Sequence, residues 1–316
     1  MNKDPDQPDF DTLYDQLSAS NPWKDPWFRP NDSSIVWADA GESWDVAEGR
    51  YEYEWFRISE HFDSDEYSLF GTEGIRPEDI FQGKIGNCWF MSALSAIAEK
   101  PNRVEKMFLN KSDAIEEKGV YGINMYALGV PHTVLVDDYI PIRKDKHGRM
   151  FNLFARSTKR GHGDKSLWAP IFEKAFAKFY GNYNHIEGGY TFNAIQALQG
   201  GPYELYLHEE NDSYKRDDGS QTVVDVETLW SLLKDHDLNH EIMATDSGKS
   251  VNREKTGLVP SHAWTTLGVT EAVPDVRLVK VRNPWGSSEM YKGPWCDECA
   301  EWDDVPQDIK DTLSFT

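Results

Sequence analysis

Cysteine is scarce: Cys88, Cys296 and Cys299 are the only three in 316 residues. That odd, small number cannot make a disulfide framework and fits a reducing compartment. Long apolar runs are missing too, since nothing approaches the roughly 18 uninterrupted apolar residues of a membrane span. The opening MNKDPDQPDFD also lacks the basic-then-apolar order of a secretory leader. The expectation is an intracellular, cytoplasmic protein without stable membrane insertion. Positive charge is in short supply, with 33 Lys+Arg against 54 Asp+Glu and a formal charge of −21. Residues 1–80 alone hold 20 acidic and 6 basic side chains. Such a field repels phosphate backbones and anionic lipid surfaces, which excludes nucleic acid as an expected partner. Clustered carboxylates are the hard oxygen ligands that calcium prefers, although the same charge also serves plain solubility.

What is present is enough for a sizeable core, with 39% hydrophobic and 13% aromatic residues. Residues 1–60, rich in Asp, Pro, Trp and Ser, read as an irregular acidic lead-in, because proline removes donors and restricts its neighbour. Its tryptophans (Trp23, Trp27, Trp37, Trp44, Trp55) are too many for a disordered tail and predict that it lies on the main body. CWFMSALSAIAEK, from Cys88 to Lys100, carries a helical apolar stripe with Asn87 as its N-cap and Pro101 at its end. A second helix is expected over 166–180, ending at Gly181. GINMYAL and HTVLVDDYIPI read as strands, as do LVPSHAWTTLGV and VRLVKVRN beyond the glycine pairs 188–189 and 200–201. The first half is mixed and the second mainly β, an α+β arrangement. The loop EENDSYKRDDGSQT fails the EF-hand spacing, because Tyr214 would fall at the first ligand position.

Cys88 at the first turn of a helix suits a nucleophile, because unpaired N–H groups and the macrodipole there favour a thiolate. Taken alone, such a cysteine also reads as a buried structural one. Gln82 lies six residues upstream across the glycine-containing loop Gly83–Gly86, where its side-chain amide and the Cys88 N–H could together hold an oxyanion. His262 and Asn283 flank an expected hairpin whose turn, EAVPD, centres near Val273. Folding there lays the imidazole opposite an orienting amide. Trp285, in NPWG, could shield that hydrogen bond from water.

QGKIGNCWFMSAL, SHAWTTLGV and VRNPWG resemble, in order and spacing, the three active-site blocks of the calpains. The likeness extends through DDYIPI, LWAPIFEKAFAKFYG and the EGG motif, covering roughly 25–302. It implies a papain-like core: a helical subdomain (61–190) bearing Gln82 and Cys88, a cleft, and a β-rich, sandwich- or barrel-like subdomain (191–316) bearing His262, Asn283 and Trp285. The boundary is expected just after Gly189, itself implied to be a substrate contact. The implied activity is limited, calcium-dependent endoproteolysis of protein substrates bound in extended form.

Calcium is implied as the cofactor, one ion per subdomain. Asp79, Thr72 and Gly74 match ligand positions of the first site, where the family's glutamate falls on Ser166. Glu289 and Asp297 match the second, whose two further acidic positions would follow Thr316. Two milder departures are Asn87, where the family usually has Asp, and Ser261, where a glycine commonly precedes the histidine.

Two rival readings remain. One is a catalytically silent calpain-like binding module, against which the complete Cys, His, Asn and Gln set argues. The other uses Cys296 and Cys299 as a redox dithiol or half of a zinc site; no further ligand pair follows in the sequence, which favours two plain loop thiols.

Overall fold

A computed structural model describes residues 7–36, 52–145, 147–157, 165–209, 213–220, 222–271, 273, 275–286 and 291–313. The chain divides into two compact units, 1–201 and 202–316. The division falls after Gly201; helix 191–199, which follows Gly189, stays with unit one.

In unit one the lead-in is less irregular than its prolines suggest. Asp9 caps a short helix α1 (Phe10–Gln16) by accepting from the Thr12 N–H, and Phe10 and Leu13 bury its inner face. Strand β1 (Tyr53–Arg57) and a single turn α2 (Ile58–His61) follow. Two of the five tryptophans, Trp37 and Trp44, lie outside the described residues. Trp23 and Trp55 are half-buried and Trp27 is exposed.

Helix α3 (Cys88–Ala98) is buried at every position from Trp89 to Ala98, Ser92 and Ser95 included, so burial extends beyond the expected stripe to the whole circumference. Pro101 opens α4 (Pro101–Glu105), where its missing N–H costs nothing. The hairpin β2 (Val120–Ala127) and β3 (Val130–Asp137) is antiparallel throughout. The run HTVLVDDYIPI is two strands and not one: it breaks at buried Asp138, and β4 (Tyr139–Lys144) joins another sheet between β1 and β5 (Met150–Asn152). Helix α5 (Trp168–Tyr180) stops at Gly181, whose φ of 112° a side chain would oppose. It is buried from Trp168 to Ala177 and packs on α3 through Phe90 and Phe176, stacked at 3.9 Å. Helix α6 (Thr191–Gln199) covers α3 and β2.

Three buried ion pairs lie together here, and two of them, through Asp25 and Arg57, tie the lead-in to this core. Lys174 binds Asp137, Lys178 binds Asp25, and Arg57 binds Asp138 while donating to the carbonyls of Pro22 and Trp23. Asp137 also accepts the Asp25 N–H at 2.8 Å. Each buried charge therefore has both an opposite charge and neutral hydrogen-bond partners, without which its desolvation would be prohibitive.

Among its described residues, unit two holds two antiparallel three-stranded sheets. β6 (Tyr206–His208), β7 (Ser213–Arg216) and β8 (Val223–Asp225) form a meander. β10 (His262–Thr270) lies between β9 (Met243–Ser247) and β11 (Leu278–Arg282). Asp225 caps α7 (Val226–Leu238), which packs on β10, and two short helices, α8 (Arg253–Thr256) and α9 (Gln307–Thr312), complete the unit. The observed class is α+β, but unit one carries five strands beside its helices, and no closed barrel forms among the described residues. Cys296 and Cys299 are joined in a disulfide, so the expectation of two plain loop thiols is corrected. No helix among the described residues is long and apolar enough to cross a membrane.

Candidate active site

Cys88 opens α3, half-exposed at the only position of that helix that is not buried. Asn87 does not cap the helix as expected. Its backbone carbonyl accepts from Phe90 and Met91, but its side-chain amide donates at 2.7 Å to Glu173 of α5, a fully buried carboxylate. Burial pushes the Glu173 pKa up to about 7, against the opposing pull of hydrogen bonds from the Ala155 N–H and Asn87.

The loop before the nucleophile is laced on both sides. Phe81 and Arg156 exchange backbone hydrogen bonds of 2.9 and 3.0 Å, and the Lys84 N–H reaches the Leu153 carbonyl at 3.0 Å. Gly83 has to be glycine, since a Cβ there would sit 2.2 Å from the Phe154 carbonyl oxygen. Within this loop the Gln82 amide donates to the Ile85 carbonyl at 2.6 Å. A carbonyl can only accept, which fixes the nitrogen on that side; the buried Oε1 has no partner among the described residues.

Glycine 189 is brought to the same place. The Gly188 N–H donates to the Gly86 carbonyl at 2.9 Å, the Trp89 indole N–H donates to the Ile186 carbonyl at 2.9 Å, and a Cβ on Gly189 would stand 2.4 Å from the Trp89 ring. The exposed Gly189 backbone therefore lies flat against the residue after the nucleophile.

In unit two, His262 begins β10, buried and paired with Ser247 of β9. Its Nε2 lies 2.9 Å from Asn283 Oδ1, and that oxygen also accepts the Trp285 backbone N–H at 3.0 Å. A backbone N–H can only donate, so the atom it meets is the amide oxygen. The imidazole must then donate through Nε2, which leaves Nδ1 as the basic nitrogen. Trp285 lies over the ring with centroids 4.6 Å apart, and Trp264 meets it edge-on at 5.2 Å. Burial pushes the His262 pKa below its ordinary value, and the bond to Asn283 pulls it back part of the way.

The expected direct opposition of His262 and Asn283 is replaced by a different register. A bulge between Thr266 and Gly268 shifts the hairpin, the ladder ends at Thr265 opposite Arg282, and Asn283 reaches the ring from beyond the strand end. Of the turn EAVPD, Ala272 and Pro274 lie outside the described residues. Ser261 holds a φ of 52°, a left-handed conformation that glycine adopts without cost.

Two residues escaped the sequence reading. Glu173 hid in an apolar helix, where a buried charge beside Lys174 was the available signal. Ser247 offered none: its hydroxyl contacts the carbonyls of Val259 and His262 and accepts from the His262 N–H and the Trp264 indole, holding the start of β10.

The calcium positions fare differently. Asp79 is buried, but its carboxylate is taken by the Arg76 backbone N–H and guanidinium, both at 3.0 Å, and the same guanidinium binds Glu73. Thr72, Gly74 and Ser166 bring oxygens but no charge. One carboxylate already neutralised by arginine does not fit a divalent ion that prefers several oxygens and negative charge. In unit two Asp297 is exposed and Glu289 lies outside the described residues. Among the described residues, no three His, Cys, Asp or Glu side chains gather as a metal site.

A model of the calpain family cysteine protease matches residues 23–316. The chain belongs to this family. Among curated relatives it is 30% identical over 299 residues to human calpain-12, covering 92% of this chain and 37% of that protein. It is 32% identical over 258 residues to the calpain-type cysteine protease DEK1 of Arabidopsis thaliana (79% and 11%). To a Schistosoma mansoni calpain it is 28% identical over 317 residues (97% and 38%). The chain thus spans less than two fifths of the length of each of these calpains.

Proposed function

We propose that this calpain-family chain is a cysteine endopeptidase that cleaves intracellular proteins at extended segments. The observation that carries the reading is the His262–Asn283–Trp285 arrangement. A main-chain N–H orients the amide, the amide selects the tautomer, and the tautomer presents Nδ1 as a base.

In the proposed reaction, His262 Nδ1 takes the Cys88 thiol proton, and the thiolate attacks the scissile carbonyl carbon. The carbonyl π electrons move onto oxygen, which the Cys88 N–H and the Gln82 amide stabilise. The imidazolium then gives its proton to the leaving amine as the C–N bond breaks, leaving a thioester on Cys88. Water, deprotonated by His262, attacks the thioester, the S–C bond breaks, and thiolate and imidazolium are restored. The extended substrate backbone lies along Gly189. This scheme requires Cys88 of unit one and His262 of unit two to act together across a cleft, as the resemblance implies.

Calcium enters as a proposed regulator through Asp297 and Glu289, where it would supply positive charge to a stretch of sequence that also carries Glu298 and Glu301. The Asp79 loop of unit one, held by Arg76, is left out of that role. The test is hydrolysis of a quenched fluorogenic peptide over a calcium titration, with Cys88→Ser in parallel. Turnover that disappears in the variant is expected; its absence at every calcium level would sink the reading in favour of a catalytically silent binding module.

A further inference from the structure

The residue before the nucleophile is bonded to a carboxylate 86 positions away, and that carboxylate has a second partner. Glu173 Oε1 accepts from Asn87 Nδ2 at 2.7 Å, and Oε2 accepts from the Ala155 N–H at 2.8 Å. Asn87 is the last residue of the loop that begins at Gln82. Ala155 sits in the segment 153–156, to which the other end of that loop is laced through Phe81, Gly83 and Lys84. One buried side chain therefore ties the nucleophile end of this loop directly, and its other end through the 153–156 segment.

Resting on the proteolytic reading of the site, we infer that Glu173 is a positioning residue for the oxyanion-binding loop, acting through Asn87 at its nucleophile end and Ala155 at its other end. The physical need is plain. Donors help the transition state only if they already lie where the oxyanion will form, and a displacement of about 1 Å can cost about 100-fold in rate. A loop with glycines at 83 and 86 has no side-chain packing at those points to hold it, so an external tie must.

The chemistry of the pair also explains why asparagine serves at position 87. Both Glu173 oxygens act as acceptors, so their partner must donate, and Asn87 does so through its amide. An aspartate at 87 would face Glu173 with a second carboxyl, and the two could stay bonded only by sharing a proton. The Tyr183 phenol, fully buried, is the other titratable group that feels the Glu173 charge.

Three variants of the full chain test the inference by steady-state hydrolysis of the fluorogenic peptide, with folding followed by thermal melting. Glu173→Met removes both acceptors at similar volume. Kcat is expected to fall about tenfold or more with KM within about twofold, because alignment of the donors and not substrate affinity is lost.

Glu173→Gln keeps both ties. Its oxygen accepts from Ala155, and its nitrogen donates to Asn87 once that amide turns over, so at least about a third of kcat should return. Asn87→Ala cuts the tie from the other end without orphaning the Ala155 N–H, and it serves if Glu173→Met fails to fold. Combined with Glu173→Met, where that protein folds, it should add little further loss, as expected of two residues acting as one unit.

Folded Asn87→Ala or Glu173→Met with kcat within about twofold of wild type would overturn the inference, as would a rise in KM alone or a Gln variant as damaged as Met. In each of those cases wild-type turnover leaves the protease reading standing. A wild-type chain without turnover overturns both.

Discussion

The two units hold their candidate catalytic residues in opposite ways. In unit one Cys88 opens a helix sunk in aromatic packing, with α5 beside it, in a unit that also holds three buried ion pairs. In unit two the described buried apolar residues are few: Trp230, Val259, Ala263, Trp264, Trp302 and Val305. There His262 depends on the hydrogen bond it donates to Asn283, on its main-chain bonding with Ser247 and on two neighbouring indoles. Around it, exposed charges do much of the bracing, with Glu271 meeting Trp230, Lys234 and Arg277, and Arg277 gripping Glu227. The lesson is that the nucleophile is fixed by volume and the base by directed polar contacts, so different perturbations should reach each.

The hardest blow to the first half is Lys174→Ala. It leaves Asp137 buried without its cation, and a loss of about 3–5 kcal/mol in urea-unfolding free energy is expected. A loss below about 1 kcal/mol would show that the buried pairs are not what anchors unit one. Next comes Asn283→Ala, which frees the imidazole to take either tautomer. Kcat should drop by about 100-fold, or about 2.7 kcal/mol of barrier, with melting temperature little changed.

Acidity should separate the units. Glu173 has its pKa raised from 4.5 to about 7 by burial, so its contribution is fully present below pH 4.5 and is lost as pH rises through 7. His262 is depressed below 6.5, so its contribution is present above pH 6.5 and is lost as pH falls through the lower folded value. Between pH 7.5 and 5.5, hydrogen exchange should slow in α5 and quicken in β10 once intrinsic rates are corrected, by at most about 1.4 kcal/mol per pH unit for Glu173. Parallel changes in the two would erase the contrast. The smallest effect is Ser261→Gly, which relieves a left-handed φ at the residue before His262 and should stabilise unit two by no more than about 1 kcal/mol in thermal melts.

Much of this could be read before any coordinates. The extents of α3 and α5 match the expected helices to within two residues, because helix periodicity is a local signal, whereas burial runs round both helices and is not confined to a stripe. The candidates Cys88, His262 and Asn283 were legible from local context and from the family blocks. What escaped was set by long-range partners. Asn87 looks like a helix cap in its own neighbourhood and becomes a Glu173 ligand only because α5 passes behind it. Arg76 looks like one more charge in an acidic stretch until it closes on Asp79. The bulge in β10 falls between Thr266 and Gly268, where the alternation of the strand gives no sign of it, and α1 buries only Phe10 and Leu13, too few to show a clear stripe.

The Asn283 amide has a consequence for how protons move. A main-chain amide cannot exchange its polarity, so no change of acidity lets the Trp285 N–H accept what it now gives. The imidazole consequently has one side closed to solvent protons and one side open. Its Nε2 hydrogen, buried between Asn283 and two indoles, should persist as a slowly exchanging, downfield resonance in water. All proton traffic through this ring passes by the opposite nitrogen.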